Sequence, residues 1–151
     1  MAHMVKRLIT IMMVALLIAC AEPTDTTDTQ TDGELSVSLL DVRIGEETLF
    51  GELPEGEMWL LVDVAIENVG SASRSINALL MFRLEDDINV YDLDIFADGA
   101  GALDGTLNAG ERKVGTLTFA VEATSTGFQL IFTPRVNEPG QLTFDIDLST
   151  P

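Results

Sequence analysis

Leu60-Leu61-Val62-Asp63-Val64-Ala65-Ile66-Glu67-Asn68-Val69-Gly70 is the stretch that decides how this chain folds. Leu60, Val62, Val64 and Ile66 share one parity; Leu61, Asp63, Ala65 and Glu67 share the other. A period of two belongs to a β-strand, whose successive side chains leave opposite faces. The first set is expected to face a core and the second to face outward. Asn68-Val69-Gly70-Ser71 then supplies a turn.

The same signal extends in both directions. Upstream, Leu35, Val37 and Leu39 lie on one parity, and Leu40, Val42 and Ile44 on the other, which predicts a β-bulge near Leu39-Leu40. Downstream, Ser75 to Leu84 reads as a third strand with Leu80, Phe82 and Leu84 on one side. A fourth, Ile88 to Ile95, follows through Glu85-Asp86-Asp87. Phe96 to Asn108 is rich in glycine and alanine and reads as an irregular connection, closed by a turn at Asn108-Ala109-Gly110-Glu111. Leu117, Phe119 and Val121 mark a fifth strand within Arg112 to Glu122; Phe128, Leu130 and Phe132 mark a sixth, stopped by Pro134. Leu142, Phe144, Ile146 and Leu148 mark the seventh. About seven short strands and no convincing amphipathic helix predict an all-β protein, an antiparallel β-sandwich over residues 34–151. No internal repeat is visible.

The first 20 residues have a different character. Lys6 and Arg7 form a positive start, and Leu8 to Ala19 an apolar run. Such a run is too short for a spanning helix, which takes about 20 residues. With the polar sequence that follows, it reads as a secretory signal peptide over residues 1–20. Met1 or Met4 could be the native start. Leu17-Ile18-Ala19-Cys20 resembles the lipobox of bacterial lipoproteins. There the cysteine thiolate takes up a diacylglyceryl group and becomes the new N-terminus, behind a small residue that lets the peptidase close on the bond. The expected partner of Cys20 is therefore a membrane, through two or three acyl chains, and the expected location is the cell envelope, facing outside the cytoplasm. Residues 21–33 contain Thr, Asp and Pro and no large apolar side chain, which predicts a flexible, disordered linker.

Charge and composition close off several functions. Net charge is −17, and all 25 acids follow Cys20. Such a surface repels nucleic acid and anionic lipid headgroups. It also suits a salt-rich environment. The single cysteine, Cys20, allows no intramolecular disulfide, and His3 is the single histidine. Beyond residue 20 a Ser-His-Asp or Cys-His arrangement is excluded, and zinc and copper lack their usual ligands. No glycine-rich phosphate loop is present. No cofactor and no enzymatic activity are expected. A carboxylate-based hydrolase survives only as a minor alternative, because no acid pair stands out.

Oxygen ligands are the best-clustered chemistry. Glu85, Asp86, Asp87, Asn89, Asp92, Asp94 and Asp98 fall in one short stretch. Calcium takes six to eight oxygens, so Asp86, Asp87, Asn89, Asp92 and Asp94 are the weak calcium candidates; the spacing does not fit an EF-hand. The plainer reading is a solvated acidic hairpin. Trp59 beside Leu61 reads either as an exposed binding patch or as a cap on one end of the core.

Gly56 to Gly70 resembles the opening block of the telokin-like extracellular domains of unknown function, which pair a glycine-led turn with aromatic-x-x-Val-Asp-Val-x-Ile-x-Asn-x-Gly. Leu107 to Glu111 followed by Gly115-Thr116-Leu117-Thr118-Phe119-Ala120-Val121 resembles a second block, and Gly127 to Pro134 the penultimate strand. The match covers nearly all of residues 34–148. It implies an immunoglobulin-like fold, often borne on secreted proteins or lipoproteins, and carries no catalytic residues. The chain departs from the pattern at Asp86-Asp87-Ile88-Asn89 and between Phe96 and Leu107. On these grounds the expected function is a non-catalytic envelope module that binds another envelope or extracellular component. The alternative is a calcium-dependent binding or stability module.

Overall fold

Backbone pairing turns the alternation at residues 60–66 into the middle of a sheet. The computed structural model describes residues 27–45, 51–97, 99–135 and 140–149. In chain order the elements are β1 (Asp28–Asp32), β2 (Leu35–Gly45), β3 (Glu57–Asn68), β4 (Arg74–Ile76), the helical turn α1 (Ala78–Met81), β5 (Phe82–Glu85), β6 (Val90–Tyr91), a 3-10 turn (Ala100–Ala102), β7 (Gly105–Leu107), β8 (Arg112–Glu122), β9 (Gly127–Phe132) and β10 (Leu142–Asp147). One sheet has the order β1-β2-β3-β8 and the other β10-β9-β5-β6, while β4 and β7 pair separately. All of these pairings are antiparallel. The all-β sandwich expected from the sequence is the observed fold.

The two sheets bury the parity that the sequence assigns to them. Leu60, Val62, Val64 and Ile66 are inaccessible to solvent, as are Leu117, Phe119 and Val121 across the β3–β8 ladder. Leu130, Phe132 and Phe144 from the second sheet meet them in the same core. Phe82 and Phe132 pack with their rings tilted at 46° and their centroids 4.9 Å apart. Each fully buried side chain of this kind stabilises the fold by about 1.5–3 kcal/mol, whereas an exposed ion pair contributes about 0–1 kcal/mol. The aliphatic and phenylalanine core therefore dominates over the surface charges. The bulge is where the parity change puts it: the β2–β3 register shifts between Leu39 and Asp41.

Among the described residues ten strands replace the seven expected, for three local reasons. The linker read over residues 21–33 ends early, because Asp28 to Asp32 form β1 on β2. An edge strand need bury nothing: its ladder, the Thr29–Ser38 and Thr31–Ser36 hydroxyl pairs, and β-branched threonines suffice. Gln30 also crosses to the second sheet, its Nε2 donating to the Thr143 carbonyl at 2.6 Å. The third expected strand is split into β4 and β5 by α1, whose N-cap Asn77 accepts from the Leu80 amide. That helical turn breaks the period of two, so Leu80 is exposed and not in the core. Within the expected irregular connection, β7 pairs with β4, and Leu103 and Leu107 are fully buried. The fourth expected strand, Ile88 to Ile95, shrinks to β6. Beyond it the chain leaves the second sheet and crosses to the first, where the Asp94 amide donates to the Thr118 carbonyl at 2.9 Å.

The outward face of β3 also differs from expectation. Trp59 is 4% exposed and Leu61 5%, so the pair is not an exposed patch. Neither belongs to the inter-sheet core; both are buried on the outer face of the first sheet. Opposite them Gly45 lies so near that a Cβ there would collide with Leu61 Cδ1. Further along that face, Arg43 donates to the Asp63 and Asp41 carboxylates, and the Thr116 hydroxyl donates to Asp63 at 2.6 Å.

Candidate functional site

The acidic β5–β6 hairpin is held together by one of its own acids. The Asp86 amide donates to the Asn89 carbonyl, closing the turn. Asp86 Oδ1 accepts from the Ile88 and Asn89 amides at 2.8 and 2.7 Å. Its Oδ2 accepts from the Tyr91 hydroxyl at 2.6 Å and the Ser125 hydroxyl at 2.8 Å. An Asp at the first position of a turn bonds its own downstream amides readily, which is why the sequence turns here. Four donors hold the Asp86 carboxyl far below the usual range, the Tyr91 hydroxyl contributing most. Tyr91 shifts upward, first by burial and then by donating to Asp86. Ser125 lies in the turn between β8 and β9, so this carboxylate ties the hairpin to the crossing between the sheets.

The calcium candidates do not gather. Asp86 spends both oxygens on protein donors. Asp94 Oδ1 accepts from the Phe96 amide at 2.7 Å as a second turn-former. Asp87 and Asp92 point to solvent, and Asn89 Nδ2 donates to the Tyr91 hydroxyl. Among the described residues no group of three or more His, Cys, Asp or Glu side chains converges to hold a metal ion. Asp98 lies outside the described residues, as do Leu17, Ile18, Ala19 and Cys20.

Two grooves flank the C-terminal half of β10. The first, about 610 Å³, lies beside the hairpin and is lined by Asp86, Ser125, Gln129, Asp145 and Asp147 among others. The second, about 650 Å³, opens between the ends of β2 and β10. Val42, Ile44 and Leu148 line it, with Asp28, Asp145 and Asp147 around them. The sequence does not reveal this second groove, because it sets β1 and β2 against β10, about a hundred residues further along the chain. The Asp86–Ser125 bond is invisible for the same reason: 39 residues separate its partners.

At the opposite end, Asn68 is the buried polar hub. It is fully buried. Its Nδ2 donates to the Ala72 and Leu107 carbonyls at 2.8 and 3.0 Å, and its Oδ1 accepts from the Gly70 amide at 3.0 Å. Its backbone amide donates to the Glu111 carbonyl, and its carbonyl accepts from Gly110. The Asn68 side chain fastens the β3 exit to β7, while its backbone fastens it to the Asn108–Glu111 turn. The Asn-x-Gly at the end of β3 thus has a direct structural job.

These features define an antiparallel β-sandwich with acidic grooves at one end. The chain belongs to the family described as a domain of unknown function, DUF4352, which matches residues 25–141. No curated protein matches it in sequence. Among solved structures, a candidate lipoprotein of Bacillus subtilis superposes with a TM-score of 0.64 at 20% identity, over 79% of this chain and 38% of that one. The chain thus spans well under half of that relative's length. A candidate lipoprotein of Staphylococcus aureus superposes with a TM-score of 0.52 at 10% identity, over 82% and 94% of the two chains. An uncharacterized β-sandwich protein of Clostridium difficile gives 0.52 at 11%, over 79% and 89%. At such identities the likeness is one of fold.

Proposed function

We propose that this chain is a lipid-anchored protein of the cell envelope, whose immunoglobulin-like, telokin-like sandwich binds another envelope or extracellular component without catalysing a reaction. The observation that carries this reading is the single thiol of the chain, Cys20, placed behind Leu17-Ile18-Ala19 at the end of the apolar run. Relatives of the same fold described as candidate lipoproteins support it. The absence of His and Cys from residues 21–151 supports a role without imidazole or thiol chemistry. So does the engagement of Asp86, whose oxygens already accept from four protein donors.

The position of β1 refines the tether. Only residues 21–27 separate Cys20 from the first strand. Seven residues reach at most about 25 Å when fully extended. The sandwich then rides close to the bilayer, and its binding surfaces are offered to components near the membrane.

Mass spectrometry of the protein from its native membranes tests the anchor. The expected N-terminal peptide begins at Cys20 and carries acyl chains. Cys20→Ser should release the protein from the membrane fraction. An unmodified thiol, or a Cys20→Ser variant that still fractionates with membranes, would overturn the reading.

A further inference from the structure

Among the described residues the side of the sandwich formed by β1 and β10 is only half closed. β1 pairs with β2 from Asp32–Leu35 to Asp28–Leu39, and the ladder ends there. β2 continues to Gly45, paired on its other side with β3 as far as Trp59. Among the described residues no strand pairs with Asp41 to Gly45 on the β1 side. The second groove lies at this open stretch. Its apolar lining includes Ile44, which is 60% exposed, and the half-buried Val42 and Leu148. Asp28, Asp145 and Asp147 surround that lining. The one base along the groove is Arg43, whose guanidinium is engaged by Asp41 and Asp63.

An open strand edge, an apolar floor and a rim of carboxylates together specify an occupant. The edge offers backbone groups to an extended segment, and the floor takes alternate apolar side chains. The rim favours cations between them. A second copy of this chain would bring its own excess of acids, at a net charge of −17, to the same place. We propose that the groove between β2 and β10 is a docking edge for an extended, basic peptide segment of a partner protein, which adds as a short strand to Asp41–Gly45. This inference rests on the reading of the domain as a binding module and names the surface and the partner chemistry.

The test uses the full chain in detergent and a labelled probe, acetyl-Lys-Val-Lys-Val-Lys-Val-Lys-amide, followed by fluorescence anisotropy. Saturable binding is expected, with slowed amide exchange within residues 41–45. Ile44→Lys, at an exposed position that should leave folding intact by circular dichroism, should weaken binding about tenfold by removing apolar contact and adding like charge. Asp145→Asn with Asp147→Asn should weaken it several-fold, and raising salt from about 0.05 to 0.5 M should do the same by screening. N-methylation of alternate probe amides should abolish binding, because a strand addition needs them.

Failure of the probe to bind, equal binding of a Glu-for-Lys probe, or indifference to N-methylation would overturn the inference. The first of these is the result expected if the chain's own residues before Thr27 fill the groove. Sedimentation that changes on Ile44→Lys would assign the groove to a second copy and overturn it as well. Photo-crosslinkers placed at Ile44 and at exposed Val69 in intact cells separate this inference from the module reading. An adduct at Ile44 that the probe competes away supports both. Adducts from Val69 without any from Ile44 overturn the groove and leave the module. Adducts from neither overturn both.

Discussion

Replacing Asn68 by aspartate should make this protein's stability depend on pH in a way that the native chain's does not. The substitution changes almost no volume. It keeps an acceptor for the Gly70 amide but removes the two donors that serve the Ala72 and Leu107 carbonyls. Once ionised, the introduced carboxylate would point a buried negative charge at two carbonyl oxygens. Burial and those carbonyls both disfavour ionisation, so the folded-state pKa rises above the ordinary aspartate value of about 3.9. For a group whose folded pKa is raised, its contribution is fully present below the unfolded pKa and is lost as pH rises through the folded pKa. A rise of two to three units corresponds to roughly 3–4 kcal/mol of stability lost between about pH 4 and 7, at 1.36 kcal/mol per unit. Below pH 4 the neutral acid still donates to only one carbonyl, which leaves a deficit of about 1–3 kcal/mol. Against a total of about 5–15 kcal/mol for a typical domain, the variant should be marginal at neutral pH. Trp59 is the single tryptophan and is buried, so its fluorescence reports urea unfolding directly. Midpoints at pH 4 and pH 7, each subtracted from the native protein's, give the test. A difference that stays constant with pH, or native stability of Asn68→Asp at pH 7, would refute this account of the hub.

Other outcomes follow from the same contacts. Asp63 is pushed upward by burial, but the stronger combined effect of Arg43 and Thr116 lowers it, and Asp86 lies lower still through Tyr91 and the turn amides. Both contributions are present above the ordinary aspartate value of about 3.9 and disappear as pH falls through the depressed folded values. Unfolding should therefore set in below about pH 4, and Asp86→Asn should flatten that acid limb in a pH-resolved melt. Phe119→Ala removes a fully buried ring from the centre of the core and should cost about 3–5 kcal/mol by denaturant titration. Gly115→Ala places a Cβ 2.7 Å from Leu103 Cγ and should cost about 1–3 kcal/mol. Gly127→Ala meets nothing within 4 Å, at a backbone angle open to any residue, and should be neutral or stabilising by up to about 1 kcal/mol, which calorimetry on the pair can check.

How much was legible in advance depended on whether the information was local. The parity of Leu60 to Ile66, of Leu117 to Val121 and of Phe128 to Phe132 identified strands and their inward faces, because side chains on a strand alternate whatever they pack against. The phase change at Leu39-Leu40 located the bulge by the same rule. Periodicity misled where one element hid another. Leu80 continued the alternation of Phe82 and Leu84, yet Asn77 caps a helical turn that carries Leu80 outward. Composition misled at Asp28 to Asp32, since a lack of large apolar residues rules out a core and not an edge strand. Ile88 to Ile95 looked like a strand from its own residues, but only Val90 and Tyr91 found a partner in β5.

By itself the sequence determined the sandwich architecture, the acid excess, the absence of thiol and imidazole chemistry beyond residue 20, and the expectation of a lipid on Cys20. All of these are properties of neighbouring residues or of simple counts. Tertiary structure decided what the acids are for. It turned Asp86 into the knot that joins a hairpin to Ser125, left Asp87 and Asp92 in solvent, and set Asp28, Asp145 and Asp147 around one half-open side of the sandwich. It also sank Trp59 into the outer face of a sheet. Each of these outcomes depends on which strands lie side by side. That is fixed by the packing of the whole core and by where each ladder stops, and neither is written in any short stretch of chain.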